Sequence, residues 1–341
     1  MEFEIQKNVS LKEFNTFGID VKAKYFVTLT ELKQLKDLYE SKYWSVKPRM
    51  ILGGGSNILF LNDFEGLVVK VDLKGIEISE TDSPTVYIKA GAGENWHNLV
   101  EFAIQKGLAG IENLSLIPGQ VGAAPMQNIG AYGVELESCF VDLEAFDMEN
   151  GTFVTFDKEA CKFGYRESVF KNVYKNRFII TSVRLKLSKV PSFKLDYGAI
   201  KETLNEMQVE EISIKKISDA VIKIRQSKLP DPAVLHNAGS FFKNPLVEDE
   251  KFKKLIKQFP DMPYYEAEKN LKKIPAGWLI DNAGLKGYRK KSVGIHQKQA
   301  LVIVNYGGAE GKEVFDFSQF IVDEIKAKYG IKLEREVNIV E

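Results

Sequence analysis

The spacing of apolar positions changes several times along this chain, and each change marks an element. Leu32, Leu35 and Leu38 recur at helical spacing after Thr28-Leu-Thr-Glu31, which has the form of a capping box. Met50-Ile-Leu52 reads as a short buried strand running into three glycines, and residues 67–71 and 86–89 read as further strands with turn residues between them. Trp96, Leu99, Val100, Ala103 and Ile104 form a stripe that predicts an amphipathic helix over about 95–106. Residues 141–156 alternate in strand fashion around Glu149-Asn-Gly151, a hairpin-turn signal, and 178–187 is the clearest strand of the chain.

The pattern then shifts. Residues 198–225 and 247–270 are charged with helical character, Pro230 and Pro232 punctuate between them, and the strand signal weakens. Trp278-Leu-Ile280 and residues 300–305 restore apolar character. Val314, Phe317, Ile321, Ile325 and Tyr329 predict a terminal amphipathic helix, followed by a strand over 333–340. The shift places a domain boundary near 200–220, and there is no internal repeat at a fixed period.

Length and composition narrow this picture. At 341 residues the chain exceeds what one hydrophobic core ordinarily fills, so two or three domains are expected. Its 47 Lys and Arg balance 47 Asp and Glu, which argues against sequence-independent nucleic-acid binding. Two cysteines without a CxxC, and three scattered histidines, give no metal-ligand pattern. The first residues are acidic and lack an apolar core, and no apolar run reaches membrane-spanning length. A reduced cytoplasmic protein without membrane contact is expected.

Candidate chemistry sits in four dense segments. Gly53-Gly54-Gly55-Ser56-Asn57 follows a strand, and glycines there let backbone N–H groups approach a phosphate closely. It is not a Rossmann fingerprint, because Ile58 and its neighbours continue as strand. Gly91-Ala-Gly93 fails likewise, with Trp96 where the third glycine belongs. A lone glycine cluster is more often a turn, but two of them plus the run from Pro118 to Gly133 favour a large phosphate-bearing cofactor. Arg166, in Tyr165-Arg166, is either a surface arginine or a planar fork for a carboxylate or phosphate. Ser240 reads equally as a turn or cap serine, or as a hydroxyl presented in a site loop. Of Glu334 and Glu336, one is expected to face solvent and the other inward.

Seven motifs occur in order between about residues 10 and 340. They are Asn15-Thr16-Phe17-Gly18, the triple-glycine loop, the run from Ile117 to Gly133, Phe163-Gly-Tyr-Arg-Glu-Ser168, Asn237-Ala-Gly-Ser-Phe-Phe-Lys-Asn-Pro245, Ala276-Gly-Trp-Leu-Ile-Asp281 and Leu333-Glu-Arg-Glu-Val337. Together they resemble the UDP-N-acetylenolpyruvoylglucosamine reductases, flavoenzymes of bacterial peptidoglycan precursor synthesis. The resemblance implies a non-Rossmann FAD-binding fold of the vanillyl-alcohol-oxidase (PCMH) type with a separate α+β substrate-binding domain. On that pattern residues 1–210, joined by the strand 331–341, form a two-lobed FAD module, and 211–330 form the substrate domain.

The same resemblance assigns residues. FAD, held non-covalently, would lie against Gly53, Gly54, Gly55, Ser56, Asn57, Pro118, Gly119, Gly122, Ala123, Gly130, Ala131 and Tyr132, with NADPH as the reductant. The substrate would be an enolpyruvyl UDP-sugar. Arg166 and Glu336 match the groups acting on its enolate, Ser240 matches the proton donor, and Glu334 is the solvent-side neighbour. Tyr165, Arg225, Lys228 and Asn244 match substrate contacts. Leu195-Asp-Tyr-Gly198 matches the lid of the family's longer form, which makes Tyr197 a lid residue. Lys286 to Lys291 is either a further substrate contact or a solvated loop. Arg335 and Asn338 depart from the family pattern, which has proline and arginine there. A monomer is expected. The alternatives are another flavin oxidoreductase of the same fold, or a UDP-sugar-binding protein without activity.

Overall fold

The computed structural model describes residues 3–196, 199–267 and 270–341. The chain forms two compact units. The first holds the chain up to Val9, Ala23–Gly54 and Phe64–Ser227; the second holds Ser10–Lys22, Gly55–Asp63 and Lys228–Glu341.

The first unit contains two sheets. One has the strands Gln6–Ser10, Lys22–Leu29, Phe64–Val71 and Arg49–Leu52 in that order, the last three mutually parallel. Val27, Leu29, Leu67 and Val69 are fully buried in it, which is why these strands read as near-continuous apolar runs. The other sheet is antiparallel, in the order Thr152–Asp157, Phe140–Asp147, Phe178–Ser188, Thr85–Gly91, Ile76–Glu80. The predicted hairpin joins its first two strands, with Asp147 opposite Thr152. The helix Trp96–Gln105 buries the predicted stripe of Trp96, Leu99, Val100 and Ala103, and Asn95 caps it by accepting from Asn98 N–H. Two further helices, Ile200–Glu206 and Ile214–Lys228, pack on each other through Ile200, Leu204, Ile217, Val221 and Ile224.

In the second unit a four-stranded sheet runs His236–Ser240, Val302–Asn305, Val293–Ile295, Arg289–Lys290. A small sheet orders Leu246–Glu248, Leu271–Lys273, Tyr265–Glu266. The helix Gly311–Tyr329 buries the predicted face and stops at Gly330, whose φ of 64° suits a left-handed cap.

Three details differ from the sequence pattern. The first capping box is Glu31 with Gln34, not Thr28 with Glu31, because strand pairing extends through Leu29 and uses up Thr28. Among the described residues of 247–270 only Asp249–Gln258 is helical; Pro260 and Pro263 follow, and the chain returns as strand. Asn338–Val340 pairs in parallel with Ile58–Phe60, so the terminal segment folds with residues 55–63 in the second unit, and the first unit runs on to Ser227.

Candidate active site

In the first unit the glycine loops meet closely. A Cβ on Gly54 would stand 3.2 Å from the Cα of Gly119, and one on Gly122 would stand 2.6 Å from the Cβ of Ala92. Gly53 faces Gln120 Oε1 at 3.3 Å by the same measure. Neither residues 53–57 nor 118–123 include a carboxylate. Two backbone segments that approach this closely, with no negative side chain, fit the diphosphate of a dinucleotide such as FAD. The chain passes to the second unit at Gly55, where φ is +63° and a Cβ would lie 1.9 Å from the Phe14 carbonyl oxygen. Only glycine is accommodated there.

The arginine turn is built around Asn128. Gly164 and Glu167 exchange backbone hydrogen bonds of 3.1 Å in both directions, leaving Tyr165-Arg166 as a two-residue turn. Arg166 takes φ of +54°, where glycine or asparagine is usual, at a cost of about 1–2 kcal/mol. Its Nη1 donates to the Asn128 carbonyl oxygen at 3.3 Å and its Nη2 to that of Gly130, while its guanidinium lies 5.6 Å from the centre of the Tyr165 ring. A Cβ on Gly130 would lie 2.8 Å from Arg166 Nη1, so a larger residue there would push the guanidinium aside. Asn128 is fully buried at φ +42°; its Nδ2 donates to Gly164 O at 3.2 Å and to Glu135 Oε2 at 2.9 Å. Ser168 closes the segment by donating to Met126 O at 2.7 Å.

Arg225 joins this group. Burial pulls its guanidinium below the usual arginine range; the hydroxyl of Tyr132, to which it hydrogen-bonds, acts the other way, and Arg166 adds repulsion. Its Nε is buried with no hydrogen-bond partner among the described residues. Arginine stays protonated regardless, so two guanidiniums and a tyrosine hydroxyl make an anion-binding environment.

In the second unit Asn237 shapes the serine strand. Its Oδ1 accepts from Gly239 N–H at 2.8 Å, a local turn that fits Gly239 at φ +70°. Pairing with Val302–Asn305 slips between Asn237 and Ser240, so the strand bulges and Ser240 is left exposed. Among the described residues no hydrogen bond engages the Ser240 hydroxyl. The Asn-Thr-Phe-Gly motif anchors this strand, with Thr16 O accepting from Asn237 N–H at 3.1 Å and Phe17 packed edge-on to Phe241 at 6.0 Å.

The terminal segment lies directly against it. Glu336 N–H donates to Phe241 O at 2.8 Å, Lys243 N–H donates to Glu334 O at 2.9 Å, and Asn57 Nδ2 donates to Glu336 O at 3.3 Å. Ser240, Glu336 and Asn57 are therefore brought together, whereas Arg166 belongs to the first unit. Glu334 is 70% exposed and bonds Lys243 Nζ at 2.5 Å, while Glu336 is half-buried. Residues two apart on a regular strand share a face. These two differ because regular pairing begins only at Asn338, with a single bridge at Arg335 before it. Arg335 donates to Ser318 Oγ and Gln319 Oε1, both at 2.8 Å, tying the segment to the long helix, and Asn338 Nδ2 donates to Asn57 O at 3.0 Å.

Of the other expected residues, Asn244 Oδ1 accepts from Ala276 N–H at 2.9 Å, so it caps the helix Ala276–Asn282 and keeps its amide N–H groups for other use. Lys228 is exposed at the end of its helix. Tyr197 lies outside the described residues. Within the basic cluster, Lys286 bonds Asp281 at 2.6 Å and Arg289 lies 3.9 Å from the Tyr306 ring centre, so both are already engaged. Sequence reasoning gave no role to the positioning asparagines 128 and 237, although each lies in a motif where asparagine stands within two residues of glycine. It also missed the small sheet, where the half-exposed Tyr265 pairs opposite Lys273.

The glycine loops and mixed sheets define a flavin-binding class of protein, and a family model for the FAD binding domain matches residues 23–157. A second, for the C-terminal domain of UDP-N-acetylenolpyruvoylglucosamine reductase, matches residues 231–340. The proteins of that name from Amoebophilus asiaticus and Flavobacterium johnsoniae are 48% and 46% identical to this chain, each alignment covering 99% of this chain and 100% of the relative. The crystal structure of the enzyme from Thermus caldophilus superposes with a TM-score of 0.68 at 27% identity, covering 100% of both chains. This chain belongs to the UDP-N-acetylenolpyruvoylglucosamine reductase family, with that family's non-Rossmann FAD-binding fold and separate α+β substrate domain.

Proposed function

We propose that this chain reduces the enolpyruvyl group of UDP-N-acetylglucosamine enolpyruvate to the lactyl ether, giving UDP-N-acetylmuramate, with NADPH as electron donor. FAD, when bound, supplies the hydride chemistry that links NADPH to the enolpyruvyl double bond. Gly53, Gly54, Gly55, Ser56, Asn57, Pro118, Gly119, Gly122, Ala123, Gly130, Ala131 and Tyr132 hold the cofactor.

Addition of hydride at the terminal carbon puts negative charge on the adjacent carbon and its carboxylate. Arg166 stabilises that charge, and Glu336 acts on the same enolate. Arg166 is oriented by the Asn128 and Gly130 carbonyls before substrate arrives, so little reorganisation is needed as charge develops. Ser240 Oγ then delivers the proton to the adjacent carbon. A serine hydroxyl is a weak acid, but an enolate carbon is strongly basic, so the transfer depends mainly on position. Tyr165, Arg225, Lys228 and Asn244 bind the substrate's anionic and polar groups. Tyr197 belongs to the lid, and Tyr265 beside Lys273 offers a ring and an ammonium for the nucleotide end. The enzyme acts as a cytoplasmic monomer on a small-molecule substrate. Its balanced charge is consistent with no nucleic-acid partner, and no helix among the described residues is long and apolar enough to cross a membrane.

The observation that carries this reading is the 2.8 Å bond from Glu336 N–H to Phe241 O, which sets the acid beside the serine strand within a chain related to its family over its full length. An anaerobic experiment on the flavin absorption band tests it. NADPH should bleach the band and the enolpyruvyl UDP-sugar should restore it. Bleaching without recovery would mean a different acceptor, and a colourless protein would leave a UDP-sugar binder without flavin chemistry.

A further inference from the structure

Among the described residues, no carboxylate is paired with one lysine beside the glycine loops. Lys70 lies near the end of the strand Phe64–Val71, opposite Leu52 of the neighbouring parallel strand, and Leu52 leads directly into Gly53. Its Nζ donates to Gln120 Oε1 and to the Val71 carbonyl oxygen, each at 3.3 Å, and both acceptors are neutral. The same Gln120 oxygen lies 3.3 Å from where a Cβ on Gly53 would stand, and Gln120 Nε2 donates to Gly93 O at 2.9 Å. One glutamine therefore ties the lysine to Gly93 and to its own segment at Gly119-Gln120, and lies beside Gly53.

The neighbouring carboxylates are engaged elsewhere: Asp72 is paired with Lys74 at 3.1 Å, and Glu94 Oε1 accepts from Gly75 N–H at 2.7 Å. Lys70 is half-buried, and burial pulls its pKa down; Asp72 opposes that shift and Lys74 adds to it. An ammonium withdrawn from water without an ion partner is costly, and an anionic ligand would offset the cost. The carboxyl ends of parallel strands are also where open α/β sheets bind phosphate-bearing ligands.

We propose that Lys70 is the cation that neutralises the diphosphate of the bound dinucleotide, with Gln120 holding it toward the glycine loops. This rests on the flavoprotein reading above. It gives a role to a residue that lies in none of the motifs by which the family resemblance was drawn. The competing account is structural: Lys70 only braces Gln120, and charge is irrelevant.

Two variants separate these accounts. Lys70→Arg keeps the charge, whereas Lys70→Gln keeps hydrogen-bond donors for Gln120 and Val71 but loses the charge. Flavin-free protein is titrated with FAD, with ADP and with riboflavin, which has no phosphate, at low and high salt. Thermal unfolding of the flavin-free variants is recorded alongside. Lys70→Gln should weaken FAD and ADP about ten- to a hundredfold at low salt, less at high salt, with riboflavin unchanged and Lys70→Arg near wild type. Unchanged FAD affinity in Lys70→Gln would overturn the proposal. So would equal loss of FAD and riboflavin, or a lowered melting temperature in both variants, since each marks a structural brace. If the wild-type protein binds no flavin, the flavoprotein reading itself fails, which the variants' behaviour cannot imitate.

Discussion

Arg166 in the first unit and Ser240 in the second are both presented from backbone that leaves regular structure. Arg166 itself adopts a positive φ on a two-residue turn, and Ser240 follows Gly239, which adopts one in a strand bulge. The difference lies in what holds each side chain. The Arg166 guanidinium is fixed by two backbone carbonyls, and the buried Asn128 that supplies one of them also bonds the base of the turn. The Ser240 hydroxyl is exposed, and only its backbone is fixed, by Asn237 and by pairing with Val302. A group that stabilises developing charge gains from being oriented in advance. A proton donor must rotate its O–H to meet the acceptor, so a free hydroxyl on a fixed backbone suits that task.

If this contrast is right, the largest effects come from the serine. Ser240→Ala should leave flavin reduction by NADPH intact and slow reoxidation by substrate about a thousandfold; equal loss of both half-reactions would remove the proton-donor role. Arg166→Lys, which keeps charge but not the fork, should cost about a hundredfold in turnover on the same half-reaction. A loss confined to KM would recast Arg166 as a binding group only. Glu336→Gln should cost about a hundredfold as well, while Glu334→Gln, whose carboxylate is 70% exposed, should stay within about twofold. The reverse ranking would mean the other glutamate acts on the enolate. Gly239→Ala tests the bulge: no atom lies within 4 Å of the added Cβ, so only the positive φ opposes it. It should destabilise by about 1–2 kcal/mol and misplace Ser240. A protein as stable and active as wild type would show that the bulge does not position the serine.

Legibility in the sequence divides along similar lines. Elements with a strong period were predicted well: Trp96–Gln105, Phe178–Ser188 and Gly311–Tyr329 each bury the stripe or alternation visible in the chain. The segments that carry Arg166 and Ser240 were found as motifs, since punctuation by Gly, Asn and Ser survives without a period. What the chain does not display is which partner a segment chooses. The pairing of Asn338–Val340 with Ile58–Phe60 joins residues some 280 positions apart, and no local signal carries it. The same holds for Asn57 and Glu336, two motif residues linked through a backbone bond. Lys70 escaped notice because a lysine near the end of a strand is ordinary; only Gln120, fifty residues on, makes it a candidate.

The smallest expected effect extends the comparison of the two units to pH. His97, in the first unit, accepts a hydrogen bond from Leu116 N–H on Nδ1 at 3.0 Å, and Leu116, at φ +58°, leads into the Pro118-Gly119 loop. That bond requires an unprotonated Nδ1. Burial lowers the pKa of His97; Glu101, 3.7 Å from its Nε2, acts the other way, and Arg225 lowers it further. His296, in the second unit, is lowered by burial and then by Lys298. For a histidine whose folded pKa lies below its unfolded value, the unfolded chain takes up the proton first. Stability is therefore full above about pH 6.5 and declines as pH falls below it, until the folded form protonates too. His97→Asn, whose Oδ1 can accept from Leu116 at any pH, should flatten part of that decline, and the remainder should persist through His296. Thermal unfolding from about pH 8 to pH 5 measures the difference between the two proteins, which cancels titration common to both. If the profiles run parallel over the whole range, His97 does not hold the Pro118-Gly119 loop through Nδ1, and the acid sensitivity of the first unit has another source.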